Sequence, residues 1–262
     1  MRLINVHTLE LKTFGHSDIP LYAALSHRWS GNEIEYGDFI NPESRNGTGF
    51  EKIRNACRER NFTEYTEAIN SMWNWYRRAA FCIVYLADVK HFEHRSDSLA
   101  ALRQSEWFER GWTLQELLAP RTLFFYSNEW QQIGSSGESD LMDTIARASR
   151  IPSRYLGNRK KKITDVSVAQ RMSWAAQRTT TRPEDLAYCL IGIFDVNTTT
   201  MYGEGFGKAF QRSQRMILDR CDDESIFAFT PRKGQDGVLA TSPREFAGCG
   251  NIIKCTRDRD QI

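Results

Sequence analysis

Up to residue 133 the chain alternates short apolar runs with segments of helical spacing, and after that point runs of strand length stop. Residues 81 to 86 (FCIVYL) are apolar throughout, which suits a strand covered on both faces. Residues 22 to 29 (YAALSHRW) read as a second buried strand and 122 to 126 (TLFFY) as a third, while 2 to 8 (RLINVHT) alternate like a short strand. Residues 130 to 133 leave room for one more. Residues 50 to 60 have helical composition; Asn61-x-x-Glu64 then forms a capping box, and Tyr65, Ile69, Met72, Trp73 and Tyr76 recur at spacings of three and four toward residue 78. Such alternation predicts an α/β fold, with strands near 2 to 7, 22 to 28, 81 to 86 and 122 to 126 in one mostly parallel sheet with flanking helices. Residues 30 to 49 read as loop and 89 to 104 as a charged connection. Helices are predicted over 138 to 150, 167 to 177, 183 to 193 and 205 to 220, with starts at Ser167 and Thr181, so a helical annex follows the sheet. The division expected is 1–135 for the α/β domain, 136–222 for the helical extension and 223–262 for the start of a truncated C-terminal region.

At 262 residues the chain is long enough for a substantial core, and its 40% apolar and 12% aromatic content is globular. A net charge of only +2 argues against nucleic acid as the main partner. The run Arg159-Lys160-Lys161-Lys162 is a solvated loop or a small basic patch. No targeting segment is visible, and the longest apolar run, 79 to 87, is too short to span a bilayer, so a cytoplasmic protein is expected. Cysteines 57, 82, 189, 221, 249 and 255 form no CxxC pair and predict free, mostly buried thiols. His91 and His94 lack a third ligand, so no metal is expected.

The stretch 107 to 120 (WFERGWTLQELLAP) carries the most chemistry. Gly111 and Pro120 bound a short helix entered at Trp112, with Leu114, Leu117 and Leu118 on one face and Trp112, Gln115 and Glu116 opposite. A tryptophan one turn from a glutamate gives an apolar wall beside an acid and raises its pKa toward the range of acid and base work. The alternative is a helix packed on two sides, with Glu116 held by Arg110 or Arg121. Ser26, His27, Arg28 and Trp29 stand at the exit of a buried strand, where open α/β sheets build sites. Glu33 and Asp38 are further carboxylates within reach. Two motifs are set aside. Gly203-x-Gly205-x-Gly207-Lys208 lacks the hydroxyl residue and preceding strand of a phosphate loop, and Ser26 and His27, adjacent on a strand, point to opposite faces and make no triad.

The blocks YAALSHRW (22 to 29), EAINSMWNWYRRA (67 to 79), WFERGWTLQELLAP (107 to 120), SVAQRMSWAAQRTTTRPEDLAYCLIGIFDV (167 to 196), MYGEG (201 to 205) and FAGCGNI (246 to 252) together resemble the fungal heterokaryon-incompatibility (HET) domain proteins. The likeness is to the branch in which that domain precedes a nucleotide-binding module and repeats. It implies a cytosolic self/non-self recognition protein that triggers cell death, through self-association or other signalling proteins. That family is in turn similar to TIR domains, doubly wound α/β signalling modules, some of which cleave NAD. Carried over, the resemblance implies a TIR-like fold with Glu116 as catalytic residue and Ser26, His27, Arg28, Trp29 and Trp112 as substrate-binding residues. NAD is then substrate, and no cofactor is implied. Family members carry a buried strand between the two helices that meet here at Arg60 and Asn61, so one central strand is expected to be missing. Three readings stand: a death-signalling domain, an NAD glycohydrolase and an inert truncated paralogue.

Overall fold

A computed structural model describes residues 1–15, 18–28, 33–34, 36–41, 47–59, 71–157, 162–232 and 237–254. The first strand, β1 (Arg2–Ile4), does not join the main sheet as expected; it pairs antiparallel with β2 (Leu11–Thr13) in a separate two-stranded hairpin. The cause is local. The Asn5 carboxamide accepts from the amides of His7 (2.9 Å) and Thr8 (3.1 Å), and Leu9 takes a left-handed φ of 55°, so the chain folds back after three residues.

The main sheet runs β3 (Ala23–His27), β4 (Phe81–Tyr85), β5 (Leu123–Tyr126), β6 (Gln132–Ser135), with β3, β4 and β5 parallel and β6 antiparallel at the edge. Alternation along the strands divides its side chains. Tyr22, Ala24, Cys82, Val84, Leu123 and Phe125 enter one large core, while Ala23, Phe81, Ile83 and Tyr126 form a smaller cluster on the other face. The described strands form an unbroken ladder from β3 to β6, so the junction at residues 60 and 61 opens no gap between them.

Two helices precede that junction, α1 (Tyr36–Ile40), in a stretch read from sequence as loop, and α2 (Thr48–Glu59). The capping box at Asn61 lies outside the described residues; α3 (Met72–Arg78) falls in the last part of the span expected for that helix. Tyr22 Oη donates to the Trp75 carbonyl (2.6 Å) and Tyr76 Oη to that of Leu25 (3.0 Å), fastening α3 to β3. The supposed charged connection contains α4 (Arg95–Arg103). Its composition misleads because tertiary contacts hold it: Arg95 reaches Asp140 (2.7 Å) and the Ile133 carbonyl (2.8 Å), and Leu102 is fully buried.

After α5 (Thr113–Leu118) and the sheet edge come α6 (Ser139–Ser149), α7 (Val168–Ser173), α8 (Asp185–Tyr188), α9 (Ile191–Phe194) and α10 (Phe206–Arg220). Ser167 caps α7 as expected, accepting from the Gln170 amide at 3.1 Å. The helix expected over 183 to 193 is two short ones. Gln115 Nε2 takes the Cys189 carbonyl at the break (2.7 Å), and a Cβ at Gly192 would stand 2.5 Å from Trp73 Cβ, so the segment is shaped by what it packs on. The large core runs without interruption from Leu3 through the sheet, α6, α7 and α10 to Phe246 and Cys249. Among the described residues no helix is long and apolar enough to cross a membrane, and no group of three or more His, Cys, Asp or Glu side chains could hold a metal ion.

Candidate functional site

The entrance to α5 is held by a segment distant in sequence. Gly111 N donates to the Thr179 carbonyl (2.9 Å) and Thr179 N to that of Glu109 (2.7 Å), a short parallel bridge between the sheet half and the annex. The approach requires glycine, because a Cβ at position 111 would sit 2.5 Å from Thr180 Cγ2. Arg178 clamps the same turn: its Nη1 donates to the Arg110 carbonyl (2.7 Å) and Thr113 Oγ1 (2.9 Å), and its Nε to the Trp174 carbonyl (3.3 Å). Burial lowers the Arg178 pKa to about 10, which leaves it charged at neutral pH.

All six residues of α5 are buried. Leu114, Leu117 and Leu118 enter the large core, and Glu116 turns the other way, toward β3. Ser26 Oγ donates to Glu116 Oε2 and accepts from Trp107 Nε1 (2.9 Å), giving a buried chain from indole to hydroxyl to carboxyl. Burial pushes the Glu116 pKa up to about 7, against the pull of the Ser26 hydrogen bond and the charges of Arg178 and Arg110. Glu116 is 6% exposed, so its carboxyl meets protein and almost no solvent. Near neutrality it is poised between forms: neutral when enclosed, ionised once water or a cation reaches it.

The residues singled out from sequence fall into separate places. Ser26 meets Glu116 directly. His27 points to the opposite face of the sheet, where its Nδ1 lies 3.5 Å from Lys52 Nζ and 3.7 Å from Glu33 Oε1. Burial, then the Lys52 charge, lower its pKa despite Glu33, so the ring is neutral. Arg28 pairs with Glu106 at the end of β3, and Trp29 lies outside the described residues. Trp112, expected as the wall beside the acid, donates its indole N–H to Asp185 Oδ2 (3.1 Å), tying α5 to α8. Asp38 is exposed on α1, and Arg121 stands at the far end of α5 from the carboxyl's partners. Glu184 occupies the loop that mimics a phosphate site, accepting from the amides of Gly203 and Gly205, both at 3.0 Å.

Trp107, Thr113 and Arg178 are the members that sequence reasoning missed. Trp107 was within sight, in the same stretch as Glu116. Arg178 carries no local signal at all, since only the fold brings it beside Arg110.

The fold and this centre define a class: a mostly parallel α/β domain whose buried carboxyl is closed in between the sheet and a helical annex. Over 223 residues the chain is 40% identical to the vegetative incompatibility protein HET-E-1 of Podospora anserina. The match covers 76% of this chain and 16% of that protein, so the chain spans a small part of its relative's length. It belongs to the fungal HET-domain proteins. No protein-family profile matches the chain, and no solved structure matches it.

Proposed function

We propose that this chain is a death-signalling domain of fungal heterokaryon incompatibility, acting in the cytoplasm by self-association or through other signalling proteins. The observation that carries the reading is the 40% identity over three quarters of the chain to a vegetative incompatibility protein. The enclosure of Glu116 agrees with it, because a carboxyl that meets only protein serves the fold before it serves a substrate.

A second reading, a TIR-type NAD glycohydrolase, is favoured by one observation: a carboxyl with a pKa of about 7 lies beside Ser26 near the C-terminal end of a parallel strand. Breaking the bond between nicotinamide and ribose passes through an oxocarbenium-like state that a carboxylate can stabilise. In this reading Glu116 is the catalytic residue and Ser26 its neighbour at the substrate, while His27, which points to the opposite face of the sheet, takes no part.

The test is inducible expression of the chain and of Glu116→Gln in a fungal host, with NAD turnover measured on both purified proteins. The signalling reading expects both to kill and neither to consume NAD. Survival of the cells with the Gln variant, together with NAD cleavage by the parent alone, would establish the enzyme instead. Survival with both, each shown to be folded, would remove the incompatibility reading for this chain.

A further inference from the structure

At the end of the sheet where the parallel strands begin, the turns leading into β4 and β5 lie side by side, because Cys82 and Leu123 are in register. A cavity of about 850 Å³ opens there, and Arg77, Arg78, Arg121 and Lys162 line it. They come from three separate segments: the last turn of α3, the turn after α5, and the connection after α6. All four are exposed. Among the described residues no ion pair involves any of them, and no acidic side chain lines the cavity; Arg77 donates only to Asn74 Oδ1 at 3.2 Å.

Basic residues in a helix's last turn complement its dipole, which accounts for Arg77 and Arg78. It does not account for Arg121 and Lys162, which bring their charge to the same space from elsewhere. In the sequence Lys162 is the last residue of the basic run Arg159 to Lys162. Four cations around one concavity repel each other and concentrate a positive potential, an arrangement that a polyanion relieves. Guanidinium forks match phosphate oxygens better than single charges do, and three of the four are arginines. Half-buried Trp73 and the ring of Pro120 supply an apolar side, and the volume falls in the range of about 300–1,000 Å³ typical of small-molecule sites.

We propose that this cavity binds a compact ligand carrying at least two linked or neighbouring phosphates. A soluble nucleoside polyphosphate and the headgroup of a phosphoinositide share that chemistry. The site is separate from Glu116 and does not depend on any catalysis there.

Calorimetric titration of inorganic pyrophosphate into the 262-residue chain tests the proposal, beside the double variant Arg78→Glu/Arg121→Glu and the single variant Lys162→Glu. The expected result is saturable binding that weakens with salt and falls at least about tenfold in each variant, with circular dichroism unchanged because the side chains are exposed. ADP binding more tightly than pyrophosphate assigns the apolar side to a base and the source to a nucleotide. Co-sedimentation with phosphatidylcholine vesicles containing phosphatidylinositol bisphosphate, lost in the variants, assigns the source to a headgroup. Absence of saturable pyrophosphate binding at millimolar concentration, or equal binding by parent and variants, overturns the site.

Discussion

Ser26 links two buried groups: it accepts from Trp107 and donates to Glu116. Ser26→Ala removes that link and leaves a buried indole N–H and a buried carboxyl oxygen short of a partner, at a cost of about 1–3 kcal/mol. Because the Ser26 bond is the largest effect holding the Glu116 pKa down, the same substitution moves that pKa higher. Urea unfolding checks the first effect, and a loss below about 0.5 kcal/mol contradicts it. Gly111→Ala forces a methyl to 2.5 Å from Thr180 Cγ2 and 3.2 Å from Cys189 Sγ, and overpacking of this kind costs about 1–3 kcal/mol. An unfolding midpoint equal to the parent's means that the 178 to 180 segment is not pressed on α5 as described. At this scale the sequence announced Glu116, because a carboxylate beside tryptophan in a helix bounded by Gly111 and Pro120 stands out. It announced Trp112 as an apolar wall beside the carboxyl and was silent on Trp107, whose indole reaches the carboxyl through Ser26, since spacing along a helix says nothing about what a strand brings up beside it.

The elements that sequence reading placed well are those whose signals are local. β4 is apolar throughout, and α7 begins at the serine expected to cap it. Those it misplaced are governed by contacts: α4 by Arg95 and Leu102, the break between α8 and α9 by Gln115, and the β1 hairpin by the turn at Asn5. The Ser167 cap offers a test confined to one element. Its hydroxyl accepts from Gln170 N and donates to the Ile252 carbonyl (2.6 Å), whereas Val168 N and Ala169 N are held by Asp223 and Ser225. Ser167→Ala therefore lowers stability by about 1 kcal/mol and lowers hydrogen-exchange protection at Gln170 more than at Val168 or Ala169. Equal protection at Gln170 in parent and variant contradicts the cap.

In the whole molecule, one core joins the sheet to the annex, and the Glu116 carboxyl is enclosed where Arg178 from the annex meets β3 and α5. The alternation of strands and helices made the sheet legible in sequence, but this closure was not, because it depends on residues that meet only after folding. Its consequence is a stability that depends on pH. A carboxyl with a folded pKa of about 7, above its ordinary value of 4.5, holds a proton in the folded chain that the unfolded chain has released. The contribution is complete below the unfolded pKa and is lost as pH rises through 7, a change of about 3 kcal/mol. His27, whose folded pKa is lowered, acts in the opposite sense on the acid side of its ordinary value of 6.5, and does so equally in a variant at Glu116. The most direct measurement is thus the unfolding free energy of the chain and of Glu116→Gln between pH 5 and pH 8, where the difference isolates the carboxyl. The expected result is that the parent loses about 3 kcal/mol relative to the variant across that range. Parallel curves would mean that Glu116 is already solvated and ionised, and that the sheet and the annex do not close over it.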